Sequence, residues 1–185
     1  MRANDERVRK TVFAAMFLAL AMVMPFLTGQ IPQFGKMLCP MHFPVLLCGF
    51  FCGPWFGAAV GAIAPLLRSL IFGTPHLMPD AVAMCFELLT YGALSGLLYM
   101  HLPKKRGYVY LSLIAAMLGG RLVWGTARVI LYGIGQSAFG WAAFVSGAFT
   151  KAIPGIVAQI LIIPVLVMAL NRAAFRELKK GEDKS

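Results

Sequence analysis

The chain is 185 residues long, 59% hydrophobic and 13% charged, with a formal net charge of +10. A soluble domain of this size runs about 45–50% apolar and about 25% charged, so this composition leaves too little polar surface for a water-facing shell. It argues against a soluble globular domain, a disordered chain and a nucleic-acid module, because the basic residues are interleaved with long apolar runs, as in membrane proteins.

Each spanning helix needs about 20 apolar residues, which fits six spans into one membrane domain over 1–185 and leaves no room for a separate soluble enzyme domain. The first ten residues carry Arg2, Arg7, Arg9 and Lys10 and read as a tail. No small-residue cleavage pattern follows, so a secretory signal peptide is not expected. The first span is predicted over 8–27. The segment 28–41 is too rich in Gly, Pro and Gln for helix. A short second span over 42–53 ends at Gly53 and Pro54, and a third runs over 55–73. Asp80 is placed to cap a fourth span over 80–100. After the basic loop around Lys104, Lys105 and Arg106, a long fifth span covers 108–134. The sixth, over 141–170, is interrupted by Pro154 and Pro164, and a polar tail begins at Arg172. Strands are not expected, since open sheets cannot satisfy their edges in lipid.

The two tails and the loop after span four hold twelve of the seventeen basic residues. With six spans they fall on one side, and the positive-inside rule makes that side, with both termini, cytoplasmic. Most of the net charge is thereby explained without nucleic acid.

Five bases remain, Lys36, Arg68, Arg121, Arg128 and Lys151, with the acids Asp80 and Glu87 and the histidines His42 and His76, most of them expected in the outer half of the bundle or in its outer loops. A charge at the centre of a spanning helix costs about 2.5–3.5 kcal/mol on insertion scales, so such residues face the protein interior and mark a site or pathway. Arg121 and Arg128 are two turns apart on one face with Trp124 and Gly125 beside it, and Asp80 and Glu87 repeat the interval with Met84 and Tyr91 on their stripe. Lys151 stands ahead of Pro154, with Gln159 beyond, so three neighbouring helices can aim polar groups at one cavity. Structural pairing is the competing reading: Glu87 with Arg121 or Arg128, and Asp80 with Arg68. It leaves three positive charges in excess, and an anionic ligand balances them. Lys36 reads equally well as a solvated loop residue, and the histidines as ligand contacts or interfacial residues.

Four cysteines (Cys39, Cys48, Cys52 and Cys85) show no paired CxxC spacing, and buried filler is favoured over a metal or disulfide role, even for His42 with Cys48 and Cys52. The methionines read as core filler. No Walker, HExxH or GxSxG pattern is present, so no catalytic residues, metal or cofactor are expected. Ala14, Ala15, Ala19 and Ala21 form a small-residue surface on the first span, with Ala15 and Ala19 as AxxxA. It serves either internal packing or docking of a partner membrane protein.

These features together, with the block PMHFPVLLCGFFCGPWFG over 40–57 continuing through Gly61, Pro65, Leu66 and Arg68, resemble the substrate-binding S components of energy-coupling-factor (ECF) vitamin transporters of prokaryotes. The resemblance implies a site beneath the loop around 29–41, with most contacts from spans four to six. It also implies a cell-membrane location and a transmembrane T component, with two ATPase subunits, docked on Ala15 and Ala19. Substrate-contact candidates are Lys36, His42, His76, Asp80, Glu87, Arg121, Trp124, Arg128 and Lys151. The cationic surplus favours pantothenate among the family's cargoes, with riboflavin, folate, a B6 vitamer, a thiamine precursor, cobalamin and a queuosine precursor as alternatives. A stand-alone secondary transporter of a small anion is the main rival, but the inverted repeats expected of one are not visible. A prenyl-phosphate enzyme would want an acidic metal cluster, and Asp80 and Glu87 do not supply one.

Overall fold

A computed structural model describes residues 2–28, 38–103, 105–134 and 153–182, and among them the secondary structure is helical throughout. Helix α1 spans Arg2–Val23, beginning six residues before the predicted span. The Glu6–Lys10 ion pair at 2.7 Å, one turn apart, lets the charged tail continue the helix. At Met24 the chain tightens into a 3-10 turn through Thr28, where Pro25 brings no N–H to the ladder.

Helix α2 is short, His42–Cys52, and ends at Gly53, whose φ of 96° suits glycine. Pro54 then opens α3, Pro54–Phe72, from its first turn, where a missing N–H costs nothing. Gly73, in the left-handed region at φ 66°, caps α3. A π-type turn over Leu77–Ala81 leads into α4, Val82–His101. Asp80 sits within that turn, and no side chain caps it, so the capping role expected of Asp80 is not what it does. Helix α5 spans Arg106–Ile134 and α6 spans Ile153–Glu182. Pro164 lies inside an unbroken α6, tolerated where neighbouring groups satisfy the freed carbonyl, and Pro154 is helical at the second described residue of α6. The tail expected from Arg172 is helical to Glu182. The predicted start of the sixth span, 141–152, lies outside the described residues.

Among the described residues, five helical segments are long and apolar enough to cross a bilayer: Asn4–Phe26, Pro54–Phe72, Leu77–His101, Arg106–Tyr132 and Ile153–Leu170. At 11 residues, α2 rises about 16 Å, roughly half of a 30 Å hydrocarbon core. Large apolar side chains stand exposed around the bundle, Leu70, Leu122, Leu161 and Val165 among them, as a lipid-facing surface requires.

Helix α4 is central, packed on α2, α3 and α5. Its seam with α3 is made of backbone: a Cβ on Gly92 would fall 2.1 Å from the Gly57 carbonyl oxygen, and one on Gly61 would fall 2.2 Å from that of Leu88. Small residues four apart on both helices permit this approach, which side-chain packing in lipid rewards. Gly49 and Gly96 bring α2 equally close to α4. Gly120 of α5 leaves the space that the Tyr91 ring fills. These contacts fix the rotation of α4 and α5 and so decide which polar side chains meet.

Candidate functional site

Helices α4 and α5 run antiparallel, and each carries two charges seven residues apart. A step of two turns along one therefore matches a step of two turns back along the other. Asp80 meets Arg128, and Glu87 meets Arg121. Of the pairings open from the sequence, Glu87 with Arg121 is the one formed. Asp80 with Arg68 is not.

The deeper cluster is nearly sealed. Arg121 Nη1 lies 3.0 Å from Glu87 Oε1, with the two side chains 6% and 2% exposed. His42 Nε2 approaches the same oxygen at 3.4 Å. His42 is therefore wholly inside the bundle, not interfacial, and its ring meets Tyr91 edge-on at 5.2 Å. Arg121 Nη2 also donates to Cys39 Sγ at 3.5 Å, tying the chain just ahead of α2 to α5. The carboxylate and guanidinium neutralise one another, so the trio carries no net charge while His42 is neutral.

The second cluster is more open. Arg128 Nη2 donates to Asp80 Oδ1, and its Nη1 donates to the Tyr132 hydroxyl at 3.0 Å. The guanidinium lies over the Trp124 ring at 5.0 Å and the Tyr132 ring at 5.5 Å. Trp124 is itself buried, against Ala83, Ala127 and Leu131. A planar cation close to two rings and bonded through both Nη groups to a hydroxyl and a carboxylate is oriented, since its fork is fully engaged.

Arg68 lies elsewhere. It is buried on α3, donates from Nη1 to the Met22 carbonyl at 2.8 Å, and lies 5.2 and 5.1 Å from the Phe26 and Phe72 rings, which themselves meet edge to face at 5.1 Å. No carboxylate pairs with it among the described residues. The chain passes from α to 3-10 geometry just beyond Met22, and a 3-10 bond to its carbonyl would need an N–H that Pro25 lacks. Arg121 and Arg128 are each neutralised, so the cationic surplus inferred from the sequence does not rest on them.

His76 stands exposed in the turn before Leu77, with no described side-chain bond to either cluster. Lys36 and Lys151 lie outside the described residues. On α1, Ala14 and Ala21 turn inward and Ala15 and Ala19 are exposed. Among the described residues, no three His, Cys, Asp or Glu side chains gather as a metal set.

Four residues of this region were not among the sequence candidates. Tyr91 was visible on the Glu87 stripe and Gln159 as an amide in an apolar run. Cys39 and Tyr132 carried no local signal, because only the packing of distant elements brings them to arginines. A cleft of about 130 Å³ between α4, α5 and α6 reaches Tyr91 and Arg121, lined otherwise by Ile114, Met117, Leu118, Ile156 and Ile160.

A family model described as "ECF transporter, substrate-specific component" matches residues 9–167. No curated protein and no solved structure matches the chain.

Proposed function

The chain belongs to the substrate-specific components of ECF transporters, and from that premise we propose that it is the high-affinity binding subunit of a vitamin importer, non-catalytic itself and driven by partner ATPases. Six spans, counting the short α2, place both tails and the loop before α5 on the cytoplasmic side, where their Lys and Arg belong. In that orientation His101 is near the inner face. Glu87 stands fourteen residues above it, about 21 Å along the helix, and Asp80 stands two turns higher. The two clusters are then an outer and an inner step of one polar path.

The observation that carries this reading is that ladder of paired charges on facing helices inside an otherwise apolar bundle. Intramembrane ionisable groups are expensive and line ligand paths. An arginine already held by an acid binds a cargo that replaces both partners. Its carboxylate accepts from Arg128 and its hydroxyls donate to Asp80. Pantothenate offers that combination and is the cargo proposed. Lys36 and Lys151 are proposed contacts from the adjoining segments, and His76 one from the turn before α4. The exposed Ala15 and Ala19 are the proposed face for the T component.

Tryptophan fluorescence of the purified chain, titrated with pantothenate and then with riboflavin, pyridoxine and thiamine, tests this. Trp124 is the reporter, in a background with Trp55→Phe and Trp141→Phe. Saturable quenching at submicromolar concentration by one compound supports a binding subunit. Silence from folded protein across the panel refutes it and favours the secondary anion transporter. Unchanged pantothenate binding by Arg128→Ala removes the carboxylate argument.

A further inference from the structure

The deeper cluster, and helix α6 across the cleft from it, carry buried polar atoms that charge pairing does not explain. His42 Nδ1, Arg121 Nε and both amide atoms of Gln159 are buried with no hydrogen-bond partner among the described residues. Gln159 is 1% exposed. It lies on the inward stripe of α6, which continues through Gly155, Ile163 and Val167, all buried. Its neighbours Ile156 and Ile160 line the cleft that reaches Tyr91 and Arg121. Native proteins rarely leave a buried amide unpaired, since a lost hydrogen bond in a low dielectric is destabilising, and each such group calls for a reason. In an all-apolar run, leucine or methionine would fill this position with no such penalty.

We infer that the inner step of the site holds an uncharged group of the cargo, one that both donates and accepts, such as an amide or paired hydroxyls, and that Gln159 reads it. The chemistry selects this class. Both arginines are paired, but Glu87 and Arg121 are 2% and 6% exposed and stay with one another. Arg128 and Asp80, at 16% and 24%, are open enough to exchange partners, so a charged end is met at the outer step and not here. The unfilled valences are of both kinds: an amide oxygen that accepts, and amide and guanidinium N–H groups that donate. Charge is read at the outer step, by Arg128 and Asp80, and neutral polarity at the inner step. The inference rests on the binding-subunit reading above and assigns the division of labour within it.

The test is Gln159→Met, which keeps length and loses the amide, with Gln159→Asn, which keeps the amide one methylene back. Thermal midpoints are measured on the detergent-solubilised, ligand-free chain, and affinity by the Trp124 titration with pantothenate, riboflavin, pyridoxine and thiamine. An amide idle in the empty protein predicts that Gln159→Met raises the midpoint by about 2–4 °C. The same variant weakens binding of the recognised compound by about tenfold or more, and Gln159→Asn weakens binding with no gain in midpoint. A lowered midpoint or failure to fold in Gln159→Met shows that the amide is a structural bond and overturns the inference. So does a raised midpoint with unchanged affinity. Both leave wild-type binding intact. If the wild type binds none of the four compounds, the binding-subunit reading falls and takes this inference with it.

Discussion

Replacing Glu87 by glutamine keeps the shape of the side chain and deletes the negative charge that balances Arg121. Two unit charges 3.0 Å apart attract by about 5 to 6 kcal/mol at an effective dielectric near 20. Much of that attraction offsets the desolvation of both ions, so the pair contributes little net stability over an apolar substitute. Removing one member is a different matter, because the other stays buried at a few per cent exposure. The expected cost of Glu87→Gln is about 3–5 kcal/mol, and Glu87→Gln with Arg121→Met returns to within about 1 kcal/mol of the wild type. The assay is unfolding of the solubilised chain in mixed micelles of increasing denaturing detergent, followed by far-ultraviolet circular dichroism and analysed as a double-mutant cycle. The outer pair is the internal comparison. Arg128 and Asp80 are 16% and 24% exposed, so Asp80→Asn is expected to cost about 1 kcal/mol or less. A Glu87→Gln cost below about 1 kcal/mol, or additive single costs in the double variant, refutes the view that Glu87 and Arg121 form one buried unit.

The glycine seam makes a sharp contrast. Gly92→Ala drives a Cβ into the Gly57 backbone, which has no flexible end to yield. It should exceed the 1–3 kcal/mol of ordinary overpacking, read as loss of folded, monodisperse protein. Gly107→Ala, in the first turn of α5 with nothing within 4 Å, should raise the thermal midpoint, by about 0.5 kcal/mol of helix stability. Arg68→Lys keeps the charge and loses the guanidinium that contacts both the Phe26 and the Phe72 ring. A fall of about 1–2 kcal/mol in the same unfolding assay is expected, and an unchanged value would mean that charge alone suffices there.

Much of the fold is local physics and was legible in the sequence. Hydropathy over about 20 residues marks a spanning helix whatever it packs against. Gly53 followed by Pro54 breaks a helix because one residue takes a positive φ and the next lacks an N–H. The seven-residue repeats at Asp80 and Glu87 and at Arg121 and Arg128 announced two charged faces, since helical period alone decides which residues share a side. Local signals misled where a longer-range partner outbid them. Asp80 has the chemistry of a cap, yet Arg128 takes its carboxylate. The residues from Arg172, read as a polar tail, continue the helix of α6 to Glu182.

Which faces meet is a tertiary matter. Rotation of α4 against α3 is set by backbone contact at Gly57, Gly61 and Gly92, and rotation of α5 by the room that Gly120 leaves for Tyr91. Only with those fixed does Glu87 find Arg121 and not Arg128, His42 enter the bundle, and Arg68 turn to a carbonyl instead of an acid. The sequence by itself determined an apolar helical bundle with a few expensive charges on helical faces. The structure decided that the arginines of α5 are neutralised by α4, because pairing depends on register and rotation between helices, and those are properties of the packed seam and not of any one segment.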